Sequence, residues 1–413
     1  MSEAATAISQ QTKTKAKFAI CLTLFTAGVG NSFIFAILPP LGREIGFAEV
    51  QIGAIISCSA TVFMFTAPIW GRVSEVWGRR RIILFAMMAY CVMTILFARV
   101  VQLSLDKVLP VTLGYILLLL CRCTFTLGIG GMFPSSQAYM ADITEPHERT
   151  AGMSLVGMAS GLGSILGPGL AAFFAGFGIL IPYYAVAGLA VVAGMVVWAF
   201  VVDVPREERP HDEPHESLMT RTLVPFFILS TILMAALACM QQSMGFYLQD
   251  TFDLSTAETT RKVGWVLIAS AVSSVFAQLI FVQRLKLEPR MLMRAGVPLI
   301  LIGIIGFAMS GSYSLMVAAM FFFGVGFGMV MPGNVASISM SVTGYQQGRV
   351  AGLNTSAQGA GFIIGPLLGS GLYQINHRLP FAICGMFIVI AMCMVYFVVK
   401  IPDAGVTEEV TET

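Results

Sequence analysis

Residues 71–81 read GRVSEVWGRRR, an acid and three adjacent arginines spaced by two glycines. Glu75 stands four residues before Arg79, within pairing reach if the segment is helical. Gly71 would let a helix end pack closely, and Gly78 would relax a turn. With Arg79 and Arg80 at the start of the next apolar run, this set suits a charged contact that is made and broken rather than bond chemistry. A second position is Arg122, set in LLLLCRCTFTL. A permanent charge among apolar side chains must face a polar cavity or find a polar partner. The acids are sparse where they would be most useful: every Asp and Glu falls in a terminus, a loop or the end of an apolar run. A proton carrier needs a titratable group whose pKa responds to access or to substrate, and Asp142 is the first candidate. Asp250 is a second, and it also reads as a solvated flank. An Arg122 without an acid partner would instead favour an anionic or zwitterionic substrate.

Catalysis has no foothold in this pattern. The serines are scattered, and no Cys/His/Asp/Glu group has ligand spacing, so no catalytic residue, cofactor site or metal site is expected. The eight cysteines all lie in apolar runs and read as small hydrophobes. Cys121 and Cys123, two apart, would not share a helix face. His211 and His215 read as solvated residues of a polar segment. Polar amides in apolar runs remain as candidates to line a site: Asn31, Gln137, Gln241 or its neighbour Gln242, Gln278, Asn334, Asn354 and Gln358. Asn354 and Gln358 are four apart and can share a helix face. Hydrogen bonding between helices accounts for some of these amides without any substrate.

The elements that must position these residues follow from composition. The 413-residue chain is 57% hydrophobic and 11% charged, with a mean hydropathy of +0.83. Soluble domains carry roughly 25% charged residues, and a bilayer removes the need to cover the outside with polar side chains. Twelve spans are expected, at 17–38, 50–71, 82–98, 112–132, 151–174, 180–202, 222–248, 262–283, 293–310, 312–340, 350–373 and 378–400. On that map one side of the membrane holds 17 of the 24 Lys and Arg residues and the other holds 6, with Arg122 inside a span. This bias places both termini in the cytoplasm. The same distribution argues against a soluble domain or a nucleic-acid binder. No cleavable leader is apparent, since the first apolar run is a full span after a polar start. The Pro- and charge-rich stretch 203–221 reads as a cytoplasmic linker. The expected organisation is therefore a tail (1–16), a six-helix bundle (17–202), the linker, a second six-helix bundle (222–400) and a tail (401–413).

The halves echo each other. Span five carries Gly163, Gly167, Pro168 and Gly169, and span eleven carries Gly361, Gly365, Pro366 and Gly369. Interrupted helices at corresponding positions of two halves mark an internal repeat and often line a transporter's central site.

Together these features resemble the major facilitator superfamily over essentially the whole chain. The 71–81 segment is similar to that family's signature loop between helices two and three, with Glu75 in its acidic place. The resemblance implies a gate network of Gly71, Glu75, Gly78, Arg79 and Arg80 joined by Asp142 after helix four. Gly163, Gly167 and Pro168 resemble the helix-five motif of the drug/proton antiporter branch, with Ala171 and Ala172 where that motif ends in glycines. Arg122 resembles the branch's helix-four arginine of proton coupling, although its glycine run begins six residues later, at Gly128. What the resemblance implies is an all-α membrane protein of twelve helices in two pseudo-symmetric bundles. It would be a monomer in a bacterial inner membrane, exporting a small organic molecule against protons by alternating access. The alternative is exchange of an anionic metabolite or carboxylate-rich chelator. A transport-dead sensor or scaffold is disfavoured by the intact loop.

Overall fold

The computed structural model describes residues 10–144, 148–203, 222–342 and 346–399. The expected linker beyond Asp203, with His211 and His215, lies outside the described residues, as do most of the N-terminal tail and all of the C-terminal one. The described chain is helical throughout: α1 (Gln10–Ile45), α2 (Glu49–Trp77), α3 (Arg79–Leu105), α4 (Val111–Ile129), α5 (Met132–Ile143), α6 (Arg149–Ala175), α7 (Ile181–Phe200), α8 (Val224–Phe252), α9 (Thr256–Ala277), α10 (Pro289–Met309), α11 (Tyr313–Met340), α12 (Gln347–Ile375) and α13 (Leu379–Cys393). Two of them run on into wider π turns, α9 through Gln278–Arg284 and α13 through Met394–Val398. Helices are the expected solution in hydrocarbon, where every backbone N–H and C=O must be satisfied within its own segment.

Among the described residues, eleven helical stretches are long and apolar enough to cross a bilayer. α4 and α5 form one of them, interrupted at Gly130 and Gly131. Pro134 explains the break: it has no N–H to offer the carbonyl of residue 130, and its ring crowds that carbonyl. This span runs on to Ile143, beyond the expected end at 132, so Asp142 lies in the last turn of a helix rather than after one. α12 has the length of a span but is not among the eleven. Asn354, Thr355, Ser356 and Gln358 dilute its first half, and part of that polarity is absorbed by hydrogen bonds to α8 described below.

The helices form two compact units. The first comprises Met1–Glu213 with Leu248–Gly264, the second Pro214–Tyr247 with Trp265–Thr413. The last turn of α8 and the start of α9 thus belong with the first unit. Its core is aliphatic around Ile20, Leu24, Ile83, Met140, Val156 and Val197. The second unit has an aromatic cluster in which Tyr247, Phe307 and Phe381 are in mutual ring contact at centroid distances of 4.9–5.8 Å.

Candidate functional site

Three clusters of functional side chains lie in the first unit. On the face where α1 begins, Arg79 opens α3 and Asp142 closes α5, and Arg79 Nε lies 2.8 Å from Asp142 Oδ2. Gly78 makes this possible: at φ +96° it turns the chain from α2 into α3 in a conformation that side chains resist. Arg80 Nη2 donates to the carbonyl of Trp198 at 2.7 Å, tying the same corner to α7. Lys17 and Glu148 add a looser pair at 3.4 Å. Two sequence expectations need correction here. Glu75 is exposed on the last turns of α2 and does not reach Arg79, which has turned to Asp142 instead. Gly71 is not needed for close approach, since a Cβ there would meet only Pro134, at an ordinary 3.9 Å.

The second cluster is the seam of α1 and α6. A Cβ on Gly163 would fall on the carbonyl oxygen of Phe25, one on Gly167 would meet Ser32 Oγ and Val29 O, and one on Gly28 would strike Ser160 O. Backbone therefore rests on backbone, a contact available only to glycine. Pro168 sits on the other side of α6, where its carbonyl would lie 2.5 Å from a Cβ on Gly264. Ala171 and Ala172 are buried, so the helix keeps small residues where the resembled motif has glycines. The second unit repeats this within itself. Cβ atoms on Gly361 and Gly365 would lie 2.6 Å from Thr231 O and 2.7 Å from Ala235 O, so α12 packs on α8 as α6 packs on α1.

The third cluster surrounds Arg122 on α4, which is only 7% exposed. Its guanidinium lies over the Phe125 ring, 4.8 Å from the centroid. Tyr90 and Tyr183 stand beside it. The Tyr90 hydroxyl occupies the space where Gly30 lacks a side chain and donates to Thr26 O at 3.3 Å. Among the described residues of the first unit, no buried Asp or Glu answers this charge.

At the opposite end of α1 the sequence reading is incomplete. Asp250 is an exposed flank, as expected, but one with a partner that the sequence does not name: Arg43 Nη1 and Nη2 reach its two carboxylate oxygens at 2.6 and 3.1 Å, while Arg43 Nη2 also holds Glu49 Oε1 at 2.7 Å. A fork of this geometry is the stronger kind of ion pair. We expect a thermal double-mutant cycle of Arg43→Gln and Asp250→Asn on the purified protein to give a coupling of about 1 kcal/mol. A coupling indistinguishable from zero would reduce the fork to a surface contact.

The amide candidates separate. Asn334 Nδ2 donates to Ser230 Oγ at 2.7 Å, and Ser230 Oγ donates to Asn354 Oδ1 at 2.6 Å, a buried relay from α11 through α8 to α12. Gln242 is buried and donates to Ser370 Oγ at 3.1 Å, whereas its neighbour Gln241 is half-buried on another side of α8. Gln278 opens the π turn and lies 3.5 Å from Ser274 Oγ. Gln137 and Gln358 are half-buried, and Asn31 is exposed on α1. Sequence reasoning missed Arg43, Glu49 and Ser230. Arg43 had one available signal, its place among the few basic residues of the sparse side, while a lone serine in an apolar helix gives none.

The sequence profile of the Major Facilitator Superfamily matches residues 20–261 and 226–412. Among characterised proteins, Multidrug resistance protein 2 of Bacillus subtilis (strain 168) is 25% identical, covering 92% of this chain and 94% of its own. Quinolone resistance protein NorA of Staphylococcus aureus (strain MSSA476) is 22% identical over 88% and 91%. Among solved structures, a bacterial homologue of the human lysosomal transporter Spinster superposes with a TM-score of 0.78 at 13% identity, covering 94% of this chain and 97% of that one. A D-xylose–proton symporter gives 0.74 at 16%, covering 93% and 98%. Profile, helix count and fold agree, and the chain belongs to the Major Facilitator Superfamily, as an integral membrane secondary transporter rather than an enzyme.

Proposed function

We propose that this transporter exports a small organic molecule across a bacterial cytoplasmic membrane in exchange for protons, by alternating access, with both termini in the cytoplasm. The observation that carries the reading is the α1–α6 seam. Gly163 and Gly167 hold α6 against α1 by backbone contact, with Pro168 turned to the other side, which is what the antiporter-type motif would require of its helix. The names of the Bacillus and Staphylococcus relatives point the same way. In this reading Arg79, Arg80 and Asp142 form the cytoplasmic gate network at the turn that Gly78 makes, and Asp142 is the best-placed acid to carry the coupled proton. Arg122, Asn31, Gln137, Gln241 and Gln358 are candidate contacts for substrate or proton. The buried relay of Asn334 and Asn354 and the Arg43–Asp250 fork are better suited to holding helices together.

A second reading is exchange of an anionic metabolite or carboxylate-rich chelator, and the observation favouring it is Arg122, buried without an acid partner. One experiment separates the two. Lipophilic cations, neutral drugs and polycarboxylates are added to the detergent-purified protein in weak buffer while proton release is recorded. Proton release on binding cations or neutral drugs, lost in Asp142→Asn, is the result expected for antiport. Polycarboxylate binding without proton release would overturn it in favour of anion exchange.

A further inference from the structure

The first unit has a small, partly open cavity of about 20 Å³ against Arg122, with Thr94 of α3 and Tyr183 of α7 as its other polar walls and Phe33, Phe97 and Phe125 among its apolar ones. That volume accommodates one small group. The polar walls are rich in donors. The guanidinium offers only N–H groups, Nε makes no hydrogen bond, and neither does the buried Tyr183 hydroxyl. A buried charge without a counter-charge is strongly unfavourable, and a neutral water supplies none. The nearest aromatic face, Phe125, is an incomplete substitute.

We propose that this cavity is a binding site for a small monovalent inorganic anion, chloride in ordinary solution, held by Arg122 and the Tyr183 hydroxyl. A single-atom anion fits the volume, accepts from every donor at once and neutralises the Arg122 charge. A carboxylate must seat at least three heavy atoms in the same small space, which a single-atom anion need not do. The site concerns the resting protein and does not depend on proton coupling, so loss of the export reading leaves it standing.

The test is thermal unfolding of the full-length purified protein in sodium gluconate, titrated with sodium chloride, bromide or acetate at constant ionic strength. For a site with a dissociation constant of about 10 mM, 150 mM chloride should raise the melting temperature by about 3 °C. Bromide should act like chloride and acetate should not. Arg122→Gln should abolish the shift, and Tyr183→Phe should weaken it several-fold. If Arg122→Gln does not fold, Arg122→Lys, which keeps the charge but loses the fork, should need several-fold more chloride. Identical curves in chloride and gluconate would overturn the proposal, as would a chloride shift that survives in both Arg122 variants. Stabilisation by acetate alone would overturn the assignment to a single-atom anion.

Discussion

Gly163→Leu will leave no folded, transport-competent protein, and even Gly163→Ala will lower the stability of the first unit by about 3 kcal/mol, the upper range for overpacking. The reason is local. The added carbon meets the carbonyl oxygen of Phe25 on α1, and backbone cannot rotate out of the way as a side chain can. The same helix supplies its own controls. Cβ atoms on Gly157 and Gly161 would meet nothing within 4 Å, so alanine there should be neutral or stabilise by up to about 1 kcal/mol through helix propensity. In the second unit Gly361→Ala should behave like Gly163→Ala, and Gly359→Ala like the controls. Melting temperature and monodispersity of the six variants in detergent decide the matter. Wild-type melting in Gly163→Ala would mean that α1 and α6 can separate without penalty. It would also remove the contact on which the export reading rests.

How far the sequence foresees this arrangement depends on the range of the contact. Apolar runs of about 20 residues are local and specify the spans with little else. The repeat is nearly as local, since Gly163, Gly167 and Pro168 recur as Gly361, Gly365 and Pro366, and each glycine pair meets the first helix of its own bundle by the same kind of contact. Arg122 is legible as a buried charge because its own neighbours are apolar. Pairing across the chain is a different problem. Asp250 and Arg43 stand 207 positions apart, and nothing in either neighbourhood names the other. Glu75 was the nearer acid for Arg79 in sequence, yet α2 points it outward while α5 brings Asp142 in. The choice belongs to the break at Gly130 and Gly131, which sets where α5 ends. Ser230 shows the same limit from the other direction: its hydroxyl joins Asn334 to Asn354, and the two amides were visible while the group between them was not.

The Arg79–Asp142 pair makes a prediction that separates structural from functional roles. Each partner is badly placed within its own helix. Arg79 puts a cation at the positive N-terminal end of α3, and Asp142 puts an anion at the negative C-terminal end of α5, each unfavourable by about 0.3–1 kcal/mol. The pair across the helices offsets that. Asp142→Asn should therefore lower stability by about 1–3 kcal/mol, because Arg79 is left largely buried at a helix N-terminus. Exchanging the charges, Arg79→Asp with Asp142→Arg, restores the pair and places each charge at the helix end that favours it. The double variant should melt at or above the wild-type temperature. Transport should respond otherwise. If the Asp142 carboxylate carries the proton, then Asp142→Asn loses at least about tenfold in proton-driven transport, the equivalent of 1.4 kcal/mol in the barrier. The swapped protein stays equally inactive despite its recovered stability. Transport measured in proteoliposomes under an imposed pH gradient, alongside melting of the same preparations, reads both quantities. Recovery of transport together with stability would make the pair a lock alone and move the proton elsewhere. Unchanged transport in Asp142→Asn would remove the residue from the coupling machinery altogether.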